Sequence, residues 1–138
     1  MHGTEVTVLI EVPRGGVVKR RADGGVDYVS VVPSPFNYGC VPDVAGGDGD
    51  PQDAVLLGGR RPRGHRERAV VWAVVRFVDA GRPDDKWICG DHPPSRVEKA
   101  VVIGFFALYA RLKGALYRLR GERGETRFLG WETWEETA

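Results

Sequence analysis

Apolar positions along this chain come mostly in short runs, and a helical period is sustained only once. Residues 4–12 alternate in part and are rich in β-branched side chains. They read as a strand that Pro13-Arg14-Gly15-Gly16 ends. Residues 17–21 and 26–32 read as two more strands, joined by a hairpin turn at Ala22-Asp23-Gly24-Gly25. Residues 33–42 hold three prolines and a glycine and read as a loop. Residues 54–57, 69–78 and 86–89 read as strands, the second of them buried, with a loop at 81–85. The one helical pattern follows Pro93-Pro94. Ser95 and Glu98 form a capping box, and Val97, Val101, Phe105, Leu108 and Leu112 recur at helical spacing as its apolar face. Gly104 and Gly114 weaken the later part of this helix. Residues 130–138 form an acidic and aromatic tail. Many short strands and one late helix predict an α+β, mainly β fold: a closed or partly closed barrel with a helix packed on it.

Composition narrows this picture. A length of 138 residues predicts a single domain over 1–138, and 42% hydrophobic residues supply a real core. A net charge of +1 gives no global field towards nucleic acid or an anionic membrane, so anion binding rests on locally placed groups. Residues 1–16 lack the basic start and apolar run of a signal peptide. The most apolar stretch, 69–78, is too short to span a bilayer and contains Arg76. Cys40 and Cys89 form neither a zinc pattern nor a disulfide framework, which suits a reducing cytoplasm. Residues 60–68 carry five arginines and a histidine. No aromatic residues interleave them and Glu67 interrupts the charge, so a solvated surface hairpin is expected rather than a nucleic-acid patch.

The candidate chemistry lies in Asp48-Gly49-Asp50-Pro51-Gln52-Asp53. In an extended segment Asp48 and Asp50 project to one side, and a turn brings Asp53 round. Carboxylates this close repel unless cations join them. Oxygen-only donors favour magnesium, manganese or calcium over zinc. The bland alternative is a polar loop of turn aspartates. A calcium loop is excluded, because its sixth position is Asp53 and its twelfth Gly59. A second acidic loop, Asp79 to Asp84-Asp85-Lys86, favours a metal site shared between two strand ends, with Glu11 available from the first strand. Paired metals suit phosphoryl transfer, a free carboxylate can take the proton of water, and lysines and tyrosines can hold phosphate oxygens.

These residues, in this order, resemble the family I (soluble) inorganic pyrophosphatases. DGDPQDA is similar to that family's D-x-D-P-[apolar]-D, and Ile10-Glu11-Val12-Pro13 to its I-E-I-P strand end. Lys19 follows at the family's spacing, and Asn37-Tyr38-Gly39 resembles its [D/N]-Y-G turn. Asp79 through Lys86 matches D-x-x-x-x-D-x-K, Phe105-Phe106-Ala107-Leu108-Tyr109 matches F-F-x-x-Y, and Gly130-Trp131 resembles a late G-W. The resemblance implies a five-stranded, OB-like closed barrel with one principal flanking helix. It implies hydrolysis of inorganic pyrophosphate with several Mg2+ ions, or Mn2+, per site. Asp48, Asp53, Asp79 and Asp84 are then metal ligands, and Asp50 orients or deprotonates the attacking water. Lys19, Tyr38, Lys86 and Tyr109 contact phosphate, and Glu11 lines the site. Expected partners are pyrophosphate or a related diphosphate and further copies of the chain, a hexamer by resemblance, with no nucleic acid and no membrane.

The departures fall at one end of the site. Gln52 replaces an apolar residue, Arg21 a glutamate and Ser34 a tyrosine. The segment 25–35 is short and has no match to the family's phosphate-binding arginine, and Ala110 stands where the family has a phosphate-binding lysine. Arg20, Arg21 and Arg111 are the neighbouring cations available in their place. Hydrolysis of an organic diphosphate, or binding of pyrophosphate without turnover, are the alternatives to be separated.

Overall fold

The alternating residues Val6, Val8 and Ile10 build β1 (Glu5–Val12), with every second side chain buried. The structure, a computed structural model, describes residues 4–16, 33–47, 49–121 and 124–134. The strands and turn expected within 17–32 lie outside these residues. The remaining elements are β2 (Asn37–Ala45), β3 (Pro51–Leu56), β4 (Arg66–Asp79), β5 (Arg82–Pro83), β6 (Lys86–Gly90), α1 (Arg96–Leu119) and β7 (Arg127–Thr133). Strands pair in the order β1-β2-β3-β6-β4, and β4 pairs back with β1 to close a five-stranded barrel. All these pairs are antiparallel except β3 with β6. The expected mainly β, OB-like barrel with one flanking helix is the observed architecture.

Two apolar clusters divide the molecule. One draws on all five barrel strands (Val8, Ile10, Val41, Ala54, Leu56, Val71, Cys89) and fills the barrel. The other draws on β3, β4, β6 and α1 (Val55, Val75, Phe77, Ile88, Val102, Phe106) and lies between barrel and helix. Neighbouring residues of β3 therefore serve opposite layers, Ala54 inside and Val55 outside. This is why the central strands read as continuous apolar runs. In β4 the register shifts between Val71 and Ala73, and the bulge hands the strand from the inner cluster to the helix-side one.

Two expectations in the first half of the chain are corrected. The loop expected at 33–42 is largely strand: β2 runs from Asn37, Pro33 and Pro35 precede it, and Pro42 falls where the register shifts between Val41 and Ala45. The Asn37-Tyr38-Gly39 turn is accordingly part of β2. A Cβ on Gly39 would lie 1.8 Å from the Leu9 carbonyl oxygen, so β1 passes too close for any side chain there. The tail contributes β7, paired with β4 across an irregularity opposite Arg76 and Phe77 that breaks its alternation.

The capping box of α1 forms as expected, with Glu98 N donating to Ser95 Oγ (3.1 Å) and Ser95 N to Glu98 Oε1 (3.0 Å). The helix continues through both glycines. Its buried stripe, however, is Val102, Phe106 and Ala110. Val97 (72% exposed), Val101, Leu108 and Leu112 face outwards, with Phe105 at the edge of the stripe. Apolar residues surround this helix, so periodicity alone does not select its inner face. Among the described residues, α1 (24 residues) rather than 69–78 is the segment long and apolar enough to cross a membrane by length and composition.

Candidate functional site

The helix-side layer is apolar in its middle and polar at one end. In the parallel β3–β6 pair, Asp53 lies opposite Lys86. Both side chains point to the helix side, in line with Val55 and Ile88. Lys86 Nζ donates to Asp53 Oδ2 at 2.7 Å and to Asp84 Oδ2 at 2.8 Å, and its side chain is only 3% exposed. Tyr38 on β2 hydrogen-bonds Asp53, and Lys86 also lies over the rings of Tyr38 and Phe77.

The electrostatics follow from two carboxylates meeting one ammonium in a desolvated place. Burial alone would depress Lys86, but Asp53 and Asp84 outweigh it and hold the ammonium charged. Burial pushes Asp84 up to about 6; Lys86 opposes this and Asp53 adds to it. Burial, then the charges of Asp53 and Asp84, raise the Tyr38 phenol well above its ordinary value, so it remains a donor. Sequence periodicity does not separate Asp84 from Asp85, but the geometry does. Asp84 turns to Lys86, whereas Asp85 accepts from Arg76 Nη1 (2.7 Å) and Phe77 N (3.1 Å). Gln52, the departure from the acidic pattern, is buried and donates to the carbonyls of Asp53 and Asp85, tying the two acidic loops together.

A second pair lies on α1. Lys113 Nζ donates to Asp79 Oδ2 at 2.7 Å and to Tyr109 Oη at 3.2 Å. The raised Tyr38 phenol and the Lys86 ammonium are coupled electrostatically to Tyr109, which joins this pair to the first cluster. The other expected site residues are less gathered. Glu11 is half-buried in β1 where the register shifts between Ile10 and Val12. Asp50 is exposed on a bend. Gly49 has a φ of 89°, so the extended geometry expected to align Asp48 and Asp50 does not hold there. Asp48 and Lys19 lie outside the described residues, as do Arg20 and Arg21. Lys113 was missed by sequence reasoning; its only signal is the four-residue spacing from Tyr109.

Among the described residues no three His, Cys, Asp or Glu side chains converge on one point. The donor chemistry nevertheless suits a hard divalent cation. Asp53 and Asp84 already close on a single cationic group, Lys86, and leave an excess of carboxylate charge around it.

The site is thus a set of acidic groups on a closed five-stranded barrel, beside a helix that carries a tyrosine and a lysine. A family model described as inorganic pyrophosphatase matches residues 8–113, and the chain belongs to that family. An inorganic pyrophosphatase of Aeropyrum pernix is 36% identical over 114 residues, 75% of this chain and 60% of the relative. A soluble inorganic pyrophosphatase of Oryza sativa subsp. indica is 35% identical over 98 residues, 64% of this chain and 46% of the relative. The chain thus spans about half the length of the curated relatives it matches. The solved inorganic pyrophosphatase of Coxiella burnetii has the same fold, with a TM-score of 0.72 and 24% identity over 96% of this chain and 88% of that one.

Proposed function

We propose that this chain hydrolyses inorganic pyrophosphate to two phosphates with divalent metal ions, magnesium first and manganese as a substitute. One observation carries the reading: Asp53 and Asp84 are held on one buried lysine beside Tyr38, in a chain of the inorganic pyrophosphatase family. In this proposal Asp48, Asp53, Asp79 and Asp84 hold the metal ions. The ions, when bound, supply Lewis acidity and make water acidic enough to attack at neutral pH. Asp50 then orients the attacking water and takes its proton. Lys86, kept charged by its carboxylates, and the Tyr38 and Tyr109 phenols donate to phosphate oxygens, with Lys19 beside them and Glu11 lining the site. Attack on one phosphorus breaks the bridging P–O bond, and the second phosphate leaves.

A steady-state phosphate-release assay with magnesium tests this. Turnover at least a hundred-fold above an Asp50→Asn control is expected, and activity equal to that control would sink the proposal. A panel of esterified diphosphates in the same assay should give slower release. We further propose a cytoplasmic setting, which suits the buried free thiols of Cys40 and Cys89. Self-association, a hexamer by family resemblance, is supported by the exposed apolar residues Val101, Leu108 and Leu112 of α1. Sedimentation equilibrium at micromolar concentration would read a monomer if that is wrong.

A further inference from the structure

Tyr109, Lys113 and Tyr117 recur every four residues on α1 and share one face of the helix. The Lys113 ammonium lies 5.3 Å from the centroid of the Tyr109 ring and 5.7 Å from that of Tyr117. Its donors go to Asp79 Oδ2 and Tyr109 Oη, and its side chain is 13% exposed. On the far side of Asp79, Oδ1 accepts from Thr126 Oγ1 at 3.3 Å, and that hydroxyl accepts from Ala80 N at 3.2 Å. The carboxylate is thereby fixed, while the lysine reaches it on a four-carbon stem that can swing.

Other cations of α1 are turned elsewhere. Ala110 lies on the buried stripe and offers no charge. Arg111 is two residues from Tyr109, about 200° round the helix. It lines an exposed groove with Ala107, Gly114, Arg118 and Arg127. Lys113 is placed differently: a sheltered ammonium that touches both an acidic and a phenolic group of the candidate site.

We propose that Lys113 is a substrate-binding residue whose ammonium exchanges the Asp79 carboxylate for the anionic oxygens of a phosphate group brought in beside Tyr109. A phosphate dianion carries more charge than the carboxylate it displaces, so the exchange favours the bound state. It also leaves Asp79 without its ammonium when substrate is present, which opens that carboxylate to a cation. Before substrate arrives, the same pair keeps a sheltered carboxylate and a sheltered ammonium from standing alone. This inference rests on reading the site as one for pyrophosphate.

The test uses the full chain, inorganic phosphate as probe in calorimetry, and pyrophosphate turnover alongside. Lys113→Ala should weaken phosphate binding and raise KM for pyrophosphate by about ten-fold, with Lys113→Arg recovering most of both. In metal-free buffer Asp79→Asn removes the competitor, so it should bind phosphate more tightly than the wild type. Adding Lys113→Ala to it should erase that gain. A purely structural lysine would lower the melting temperature in Lys113→Ala and leave the phosphate dissociation constant unchanged. That outcome overturns the proposal, as does an Asp79→Asn variant that binds phosphate no better than the wild type. The two readings fail separately. A wild type that binds phosphate through Lys113 but releases none from pyrophosphate overturns hydrolysis alone; one that hydrolyses pyrophosphate with Lys113→Ala unaffected overturns the role of Lys113 alone.

Discussion

Two charged clusters sit at the barrel, and they are built on different terms. One gathers Arg61, His65 and Glu67 where the arginine-rich segment enters β4. Glu67 accepts from Arg61 Nε at 2.8 Å and contacts His65 Nε2 at 3.0 Å, with the Arg61 and Glu67 side chains 27% and 22% exposed. Arg61 and Glu67 match one for one at a wet rim. The other gathers Asp53, Asp84 and Lys86, where two carboxylates share one ammonium and the lysine is all but enclosed. Burial with unmatched charge has no structural advantage over an apolar packing of the same volume. Such a place is expected where chemistry or ligand binding requires it. The difference shows that charge density along a sequence says little; charge balance after folding is what separates the two clusters.

The largest effect should fall on catalysis. Asp53→Asn keeps the shape of the site and removes one charge; it should lower kcat/KM for pyrophosphate by about a thousand-fold, or about 4 kcal/mol of transition-state stabilisation. Glu67→Gln at the rim should leave kcat/KM within about two-fold. Similar losses in both variants in a phosphate-release assay would break the contrast. The next effect is on stability. Lys86→Met leaves Asp53 and Asp84 facing each other without their cation and should cost about 3–5 kcal/mol in urea unfolding at neutral pH. Part of that loss should return as the pH falls through about 6, because Asp84, raised by burial and no longer opposed by Lys86, then binds a proton.

Much of the fold was legible in the sequence, and the reasons are local. β1 and β4 announce themselves through β-branched runs, β3 and β6 as short apolar runs between turn residues, and α1 through Ser95, Glu98 and a repeated apolar spacing. β2 and β7 were not legible, because proline and bulges interrupt the alternation that marks a strand. The inner face of α1 was misread, because Val101 and Val102 are equally apolar and only packing against Phe36 and Phe77 selects Val102 and Phe106. In the candidate site, Asp53, Asp84 and Lys86 were visible as types and spacing. Their gathering depends on β3 running parallel to β6, which no local pattern states. Lys113 was invisible for the same reason: its partner Asp79 lies 34 residues away.

A smaller effect concerns Asn37, which ties the rim to the barrel. Its Oδ1 accepts from Arg14 N (3.0 Å) and Arg61 N (2.9 Å), and its Nδ2 donates to the carbonyls of Leu56 (3.2 Å) and Gly59 (2.8 Å). The side chain is fully buried, so Asn37→Leu strands backbone groups at both ends of the loop and should cost about 2–3 kcal/mol in urea unfolding. Pyrophosphate turnover by the remaining folded protein should stay within about five-fold of the wild type, since none of the groups that Asn37 holds is assigned to the proposed reaction. A variant as stable as the wild type would show that these four bonds are replaced by water.

The smallest effect is a pH dependence confined to the rim. The hydrogen bond from Arg61 holds the Glu67 carboxyl below its ordinary value, against an opposing contribution from burial and with help from His65. A carboxylate with a depressed folded pKa binds its proton more weakly in the folded chain than in the unfolded one. The stability it contributes is therefore fully present above the unfolded value of about 4.3 and is lost as the pH falls through the lower folded value. For a partly exposed pair the contribution is about 0.5–1 kcal/mol. Urea unfolding of the wild type and Glu67→Gln should give free energies that differ by this amount at pH 6 and converge towards pH 3. Asp84 carries the opposite sign, because its folded pKa is raised and its ionisation weakens the fold as the pH climbs towards about 6. Asp84 is common to both proteins, so its contribution cancels in the difference. Convergence at low pH therefore assigns the difference to the Glu67 carboxyl, and a difference that persists or widens on acidification would break that assignment.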